Sequence, residues 1–396
     1  MFNSINNSMK ALKFIALAGA AAVALASCSQ DVSVAVNEHN AISFRTSTGF
    51  LTKSVEATAA NMAAFDVVAY HDVNATPTLF FDQEPGGILT VTNDNGTWTP
   101  AHVYYWPEQE DQISFFGYFP SGLANVATDG AKISFNDFSP ANHATDQEDV
   151  MAAYAKQYKG QVAMNFQHAL SEIVVRAKNN DTDNIKVEVL GVKIANVAGT
   201  GSFTYTPGAD PLFSAPVTSN AGKDYAIMNA EEDALTLTGT ATDSDIMFGR
   251  NGFIVLPQAT TAYAETTNET GSYIALLVRM SKKENGEWSQ YWPVSGGMFE
   301  WVMCPVGFDL AAGNKYVFTL GFYGENGGGG QVDPDPTDLD DPDVDPDLPD
   351  DTDPEDIPVD PEDNDDPDAE QLPITFTVTV SEWVEQNVDA NMPAAN

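Results

Sequence analysis

Apolar and polar residues alternate in many short stretches along the chain. The clearest of these are residues 65–70, 113–119, 185–194 and 316–323. A period of two is typical of β-strands that bury one face, and the cluster Asn93-Asp-Asn-Gly96 has the composition of a hairpin turn. No stretch between residues 60 and 320 keeps the 3.6-residue period of a long helix. The pattern predicts an all-β protein with two antiparallel β-sandwiches, at residues 54–160 and 161–326.

The last alternating stretch stands apart from the others. Ile374, Phe376, Val378 and Val380 are separated by hydroxyl residues, so one face is apolar, and Trp383 falls out of the alternation. This pattern predicts a half-buried strand with a bulge or an end near residue 382. Because no neighbouring stretch offers it a partner, the terminal segment 373–396 must bury its apolar face elsewhere.

An acidic linker precedes this terminal strand. Residues 333–370 contain 20 acidic residues, nine prolines and no Lys or Arg, and four glycines at 327–330 come before them. We expect the whole linker, residues 327–372, to be an extended and solvated spacer without a core of its own. A calcium-binding repeat is the alternative, but the spacing lacks the central Gly and terminal Glu of an EF-hand loop. No cofactor is predicted.

The charge of the chain limits its direct partners. The formal net charge is −40, with 57 acidic residues against 17 basic ones. Nucleic acid and anionic lipid headgroups are therefore not expected to bind directly.

The amino terminus has the pattern of a bacterial lipoprotein signal. Lys10 and Lys13 precede a short apolar run at residues 14–26, and Leu25-Ala-Ser-Cys28 follows. The run is too short for a stable membrane span, and its end resembles a lipobox. This predicts a signal peptide at residues 1–27, lipidation of Cys28 and, because Ser29 follows, an outer-membrane location. If Cys28 is acylated, Cys304 has no disulfide partner in the chain, and its apolar surroundings predict a buried structural thiol.

The sequence contains no clear catalytic pattern. Its five histidines are scattered, and neither a Gly-x-Ser-x-Gly elbow nor a phosphate loop is present. His168 lies on a predicted strand and is expected to be a hydrogen-bonded structural residue. Four aromatic residues could instead stack on sugars, although strand packing explains them as well: Trp98, Tyr104, Tyr105 and Trp106.

Several motifs together resemble the fimbrillin family of Bacteroidetes surface lipoproteins, the subunits of type V pili. The matching motifs are the lipobox, Ile42-Ser-Phe-Arg45 before a Thr-rich stretch, Tyr104-Tyr-Trp-Pro107, Phe166-Gln-His-Ala-Leu170, Phe253-Ile-Val-Leu-Pro-Gln258, Lys315-Tyr-Val-Phe-Thr-Leu320 and Phe376-Thr-Val-Thr-Val-Ser-Glu-Trp383. The resemblance implies two transthyretin-like β-sandwiches. It also implies a non-enzymatic role in a cell-surface fimbrium that supports adhesion, with other fimbrial subunits as partners in a homo- or heteropolymer.

The resemblance further implies assembly by donor-strand exchange. A trypsin-like protease would remove the pro-segment 28–53 with its strand at Ile42 and Phe44, and the terminal strand of another subunit would fill the groove. The candidate cleavage residues are Arg45 and Lys53, since Lys53-Ser54 stands where relatives often carry Arg-Ala. The alternative function is a glycan-binding surface lipoprotein, in which the aromatic group would contact a sugar. The sequence identifies neither a host nor a glycan ligand.

Overall fold

The computed structural model describes residues 41–47, 62–73, 76–107, 112–241, 245–323, 327–334, 346–349, 352–353, 356–359 and 374–382. The predicted signal peptide, Cys28, Lys53 and Trp383 lie outside these described residues. Apart from two short 3-10 turns, at Pro85–Gly87 and Glu231–Asp233, the regular elements of the described residues are strands. The predicted all-β class is therefore confirmed.

The strands are numbered in chain order. The first eleven are β1 (Ser43–Ser47), β2 (Ala64–Val73), β3 (Thr76–Leu79), β4 (Ile88–Asp94), β5 (Thr97–Pro100), β6 (Ile113–Phe119), β7 (Val126–Thr128), β8 (Ile133–Phe138), β9 (Met151–Gln157), β10 (Gln161–Asn165) and β11 (Gln167–His168). The next eleven are β12 (Ser171–Asn179), β13 (Ile185–Tyr205), β14 (Val217–Met228), β15 (Leu235–Thr236), β16 (Phe253–Val255), β17 (Tyr273–Glu284), β18 (Glu287–Trp292), β19 (Glu300–Pro305), β20 (Asn314–Phe322), β21 (Gln331–Val332) and β22 (Thr375–Glu382).

The first sandwich packs a seven-stranded sheet against a pair of strands. The large sheet has the order β11-β9-β6-β2-β4-β5, with β3 added to β2, and the pair consists of β1 and β10. Between them lies the first core, which is rich in aromatic residues and includes Phe44, Phe65, Phe115, Met164 and Phe166. This core depends on β1, because the strand forms half of the smaller sheet.

The second sandwich packs a four-stranded sheet against a nine-stranded one. The smaller sheet has the order β16-β12-β20-β22. The larger has the order β21-β19-β17-β13-β8-β7, with β14, β15 and β18 on the side. The second core lies between the two sheets and includes Ile173, Leu276, Val302, Phe318 and Leu320. In the smaller sheet β12 and β20 run parallel, while β22 pairs antiparallel with β20.

The strand pairing does not follow the division at residue 160 that the sequence predicted. Residues 161–168 form β10 and β11, and these pair with β1 and β9 of the first sandwich. Residues 126–138, assigned to the first sandwich, form β7 and β8, and β8 pairs with the far end of β13. The reason is the length of β13, whose 21 residues extend beyond one sandwich.

A third core explains why β6 is apolar on both faces. Ile113 and Phe115 face the first core, whereas Phe116 and Tyr118 pack in a cluster with Phe135, Phe203 and Leu256. A strand that buries both faces has apolar residues at successive positions. It therefore lacks the polar–apolar alternation by which the sequence predicts a single buried face. Burying both faces accounts for the run Ile113-Ser-Phe-Phe-Gly-Tyr-Phe119.

The acidic linker lies against the second sandwich at the places where it is described. Asp347 is buried and pairs with Arg250, with 2.7 Å between Oδ1 and Nη2. Ile357 packs with Phe299 and Trp301 on the outer face of the larger sheet. For these parts the prediction of a spacer without buried residues is wrong, because isolated apolar side chains between the acids find a hydrophobic surface.

Candidate functional site: the first strand and the terminal strand

The first strand is seated in a groove of the first sandwich. Ile42 is 3% exposed and Phe44 is 2% exposed. The Phe44 ring meets Phe65 and Phe115 edge-on, with centroids 6.0 Å apart in both pairs. Such edge-to-face pairs add to the hydrophobic gain of burial. Alternation across β1 therefore places both predicted residues of the removable strand in the core.

Main-chain hydrogen bonds hold the same strand in place. β1 runs parallel to β10, in a register that sets Phe44 beside Val162 and Arg45 beside Ala163. Just before the strand, the Ile42 N–H donates to the Tyr104 carbonyl at 2.8 Å. The Gln161 side chain also donates to the Phe44 carbonyl at 3.1 Å. In its ladder, β1 pairs with β10 alone among the described strands.

The third inward position of β1 fits its surroundings less well. Thr46 follows Ile42 and Phe44 in the period of two, and its side-chain hydroxyl is buried. Among the described residues, Thr46 Oγ1 has no hydrogen-bond partner. A buried hydroxyl without a partner costs about 1–3 kcal/mol. The groove is thus apolar at a place where β1 presents a polar atom.

The terminal strand lies at the open edge of the second sandwich. β22 pairs with β20 so that Phe376 is opposite Leu320, Val378 opposite Phe318 and Val380 opposite Tyr316. Partners directly opposite share a face of the sheet, and the β20 residues belong to the second core. The apolar side chains of β22 therefore point inward but stand at the rim. They remain 43%, 42% and 51% exposed, in that order.

Ile374 is the buried root of the terminal strand. It lies in the second core with Val302 and Cys304, and the Cys304 thiol donates to its carbonyl oxygen at 3.4 Å. Burial raises the pKa of Cys304 to about 12, so the thiol stays protonated and unreactive. The predicted buried structural thiol is confirmed. Of the predicted donor residues that the structure describes, only Ile374 is fully covered within this chain.

The aromatic group proposed for sugar binding is mostly part of the first core. Trp98 and Trp106 are buried, and the Trp106 ring packs edge-on against Phe115. Tyr104 donates a hydrogen bond to Glu84 at 2.9 Å, and burial together with this carboxylate raises its pKa to about 12. Tyr105 alone of the four is exposed. These residues form no open platform on which a sugar could stack.

The described residues contain no group of three His, Cys, Asp or Glu side chains that could hold a metal ion. His168 is buried and its Nδ1 is paired with Asp149, so its predicted structural role is confirmed. In the parts of the chain that the structure describes, no helix has the length and hydrophobicity needed to cross a membrane.

A family model described as fimbrillin-like matches residues 52–333, most of the chain. The chain belongs to this fimbrillin-like family. The resemblance inferred from the motifs is therefore confirmed, and the family supports a fimbrial structural role at the cell surface and assembly with other subunits. Among curated proteins, none matches this fimbrillin-like chain.

Solved structures similar to the fimbrillin-like chain come from Bacteroides and Parabacteroides. A fimbrial protein from Bacteroides vulgatus ATCC 8482 is 14% identical, covers 71% of this chain and 94% of its own, and gives a TM-score of 0.47. A candidate cell adhesion protein from Bacteroides ovatus ATCC 8483 is also 14% identical, with coverages of 88% and 99% and a TM-score of 0.43. A candidate cell adhesion protein from Parabacteroides distasonis ATCC 8503 is 11% identical, with 88% and 98% covered and a TM-score of 0.44.

Proposed function

We propose that this protein is a fimbrial subunit assembled by donor-strand exchange, in which β22 leaves its own edge and fills the β1 groove of another copy. The observation that carries the proposal is the difference in burial between the two strands. Ile42 and Phe44 of the first strand are almost completely covered, whereas the inward residues of β22 are about half exposed. Moving a strand with an incompletely covered apolar face into a deep groove lowers the free energy, because more apolar surface is removed from water.

The chemistry of the two strands supports the exchange. β1 presents Ile42, Phe44 and Thr46 to the groove, and β22 offers Phe376, Val378 and Val380 at the same period. The donor strand is apolar at all three positions, so it leaves no counterpart of the buried Thr46 hydroxyl. Fully burying such a side chain is worth about 1.5–3 kcal/mol, so completing three half-buried ones gives about 2–4 kcal/mol.

Removal of β1 requires a cut between it and β2. Arg45 lies in the β1–β10 ladder, paired with Ala163, and a protease binds its substrate as an extended chain that is free of such pairing. Lys53 lies in the connection between the two strands, at residues 48–61, outside the described part. We therefore favour Lys53 over Arg45 as the cleavage residue. A cut there separates Ile42 and Phe44 from the mature body.

Exchange between copies builds a polymer. The donor strand and the acceptor groove lie in different sandwiches, so the contact is head-to-tail and each added subunit presents a new donor strand. In this proposal the lipid on Cys28 holds the precursor at the outer membrane until cleavage releases the pro-segment. The assembled fimbrium would then support adhesion. No catalytic step is needed from the chain itself.

The experiment compares two substitutions on opposite faces of β22. Val378→Asp places a charge on the inward face, and Thr377→Asp places the same charge one residue away on the outward face. After protease treatment, we expect oligomer ladders on native gels from the wild type and from Thr377→Asp, and none from Val378→Asp. An undiminished ladder from Val378→Asp would contradict the proposal.

The cleavage assignment is tested in the same assay. A Lys53→Ala chain should keep its pro-segment and remain monomeric, whereas Arg45→Ala should be processed and assembled normally. Mass spectrometry of the new amino terminus identifies the bond that is cut. The glycan-binding alternative loses the feature that suggested it, because Trp98 and Trp106 are buried in the first core.

A further inference from the structure

A lysine and an aspartate meet on the outer face of the larger sheet of the second sandwich, with no exposure to water. Lys193 Nζ lies 2.7 Å from Asp333 Oδ2, and both side chains are 0% exposed. The ammonium is also 5.5 Å from the ring of Tyr273 and 5.4 Å from that of Trp301. Burying an ion pair so completely is rarely a net stabilising arrangement, because the desolvation of both charges offsets their attraction.

The strand register explains how the two residues come together. Lys193 on β13 is paired with Ala275 on β17, and Ala275 is paired with Met303 on β19. The small side chain of Ala275 leaves room for the lysine to lie across the sheet. Asp333 follows β21 directly, and its N–H donates to the Trp301 carbonyl at 3.0 Å. This hydrogen bond fixes the backbone of Asp333, and the Asp333 carboxylate is thereby placed next to Lys193 Nζ.

A second carboxylate stands beside the pair. Asp224 on β14 has its Oδ2 3.8 Å from Lys193 Nζ, and its side chain is 32% exposed. Its other oxygen, Oδ1, accepts a hydrogen bond from the Asn196 N–H at 2.8 Å. Asp224 is thus fixed between the dry pair and the solvent, in a position to carry a proton from one to the other.

We propose that Lys193 and Asp333 condense to an intramolecular isopeptide bond, with Asp224 as the residue that moves the proton. Within the dry pair, one proton passes from the ammonium to the Asp333 carboxylate, which gives an amine and a carboxylic acid. Nζ then attacks Cγ, a C–N bond forms and a C–O bond breaks. Asp224 takes a proton from nitrogen and returns it to the departing hydroxyl, which leaves as water.

The reaction balances without any further reactant. An ammonium and a carboxylate become an amide and one water molecule, and nothing is oxidised or reduced. Holding the reacting atoms in contact removes the entropic cost of bringing them together, and the absence of solvent opposes the reverse hydrolysis.

In a fimbrial subunit, the bond would give mechanical tension a covalent route from the linker to β13. Asp333 directly follows β21, and the rest of the acidic linker continues from it towards β22. In the proposed exchange, tension on β22 travels along this linker, and an amide at Asp333 would transfer it to the middle of β13. This consequence rests on the proposed function, whereas the bond itself does not.

Other ion pairs of the molecule serve as internal controls. Lys315 is 2.9 Å from the buried Glu172, but the Lys315 side chain is 21% exposed. An ammonium in contact with water is strongly hydrated, and this hydration opposes attack on a carboxyl group. Arg250 pairs with Asp347 at 2.7 Å, but a guanidinium stays protonated and does not attack a carboxyl group. We expect an amide at neither pair.

The test is the mass of the folded wild-type chain. We expect it to be lower than the sequence mass by one water molecule. Tryptic digestion should then leave residues 187–223 joined to residues 316–396, with no cleavage after Lys193 and normal cleavage after Lys315. An unchanged mass together with cleavage after Lys193 would overturn the proposal. Because this is read on the monomer, it is independent of whether the chain polymerises.

Two variants test the roles of the residues. Lys193→Arg keeps the positive charge and should show the full mass, without the joined peptides. Asp224→Asn can still accept the Asn196 hydrogen bond but cannot carry the proton, so the joined fraction should fall at least tenfold, while the exposed control Asp233→Asn should leave it unchanged. An unaltered joined fraction in Asp224→Asn would remove Asp224 from the mechanism. Circular dichroism confirms that each variant is folded.

Discussion

The first strand and the terminal strand have the same alternating pattern and very different environments. At the first strand, Ile42 and Phe44 are 2–3% exposed, whereas the three rim residues of β22 are 42–51% exposed. Both strands pair along a single edge, so main-chain hydrogen bonding does not distinguish them. The difference arises from the partner surface, which is a closed groove for β1 and an open sheet edge for β22.

In the intact chain, the better-covered site is occupied by the strand that the proposed exchange would remove. The strand that would be passed onward rests at a poorer site. The free energy that would drive assembly then comes from the additional apolar area that β22 buries in the β1 groove, compared with the edge of β20. Under the proposed function, a processed subunit would have an empty groove and a half-covered strand, and another copy would fill the first and cover the second where the linker prevents self-insertion.

The largest expected effect is a difference in how much stability is lost when a phenylalanine of each strand is truncated to alanine. Phe44→Ala should lower the free energy of unfolding of the uncleaved chain by about 3–5 kcal/mol, because it leaves a cavity against Phe65 and Phe115. Phe376→Ala should lower it by about 1–2 kcal/mol, because nearly half of that side chain is in water already. Urea unfolding of both variants measures the difference. Equal losses would mean that the two sites are equally covered.

A second prediction concerns the root of β22. Gly330 has a φ of +100°, and an added Cβ would lie 2.8 Å from Ile374 Cδ1. Gly330→Ala should destabilise the chain by about 2–3 kcal/mol, through backbone strain and displacement of Ile374. Because the terminal strand is loosened, oligomers of the processed chain should form faster.

The control for this change is Gly208→Ala. Gly208 has a φ of +76° with nothing within 4 Å of the added carbon, so it carries the strain without the clash. It should lose about 1–2 kcal/mol and assemble at the wild-type rate. If both variants assembled equally fast, Ile374 would not be what retains the terminal strand.

The third prediction uses the thiol beneath Ile374. Burial raises the pKa of Cys304 from 9.0 to about 12, so above pH 9 the unfolded chain loses a proton that the folded chain keeps. Stability should therefore fall as pH rises from about 9 towards 12, by up to about 1.4 kcal/mol per pH unit.

Unfolding at pH 9 and pH 10 in the wild type and in Cys304→Ala measures this slope. Tyrosines with raised pKa values, such as Tyr104 and Tyr205, also lower stability as the pH approaches their ordinary pKa of 10.0, so the contribution of Cys304 is the difference between the two slopes. A chain without residues 374–396 uncovers the thiol and should show a weaker slope. The same slope in Cys304→Ala would assign the pH dependence to other groups.

Much of the fold could be predicted from alternation alone. The period of two identified most strands and the apolar faces of the first and terminal strands, because side-chain direction follows sequence position in any strand. The division between the sandwiches could not be found in this way. It depends on how far β13 extends and on which residues pair with its far end, and both are properties of tertiary packing.

The exposure of the candidate site was also beyond the sequence. Phe376, Val378 and Val380 read as buried residues, and the structure shows that an inward-facing residue at a sheet rim can remain half exposed. The Lys193–Asp333 pair had no sequence signal either, since the two residues are distant in sequence and one belongs to an acidic run. The sequence did not predict that Ile357 packs against the second sandwich, because the acidic residues around it dominate the composition of the linker.

The smallest change in stability is expected at a single side chain of β1, Thr46. Thr46→Val removes the buried hydroxyl of β1 and keeps the shape of the side chain. The uncleaved chain should gain about 1 kcal/mol in the free energy of unfolding, because the unpaired polar atom is lost from an apolar groove. Ser43→Ala, at an exposed outward position of the same strand, should change it by less than about 0.5 kcal/mol. Thr46→Val should also slow the spontaneous loss of a cleaved but still bound β1, measured as a delay in the oligomer ladder after protease treatment. A destabilised Thr46→Val chain would show that the hydroxyl has a partner in the connection that follows, and β1 would then fit its groove as well as any donor strand.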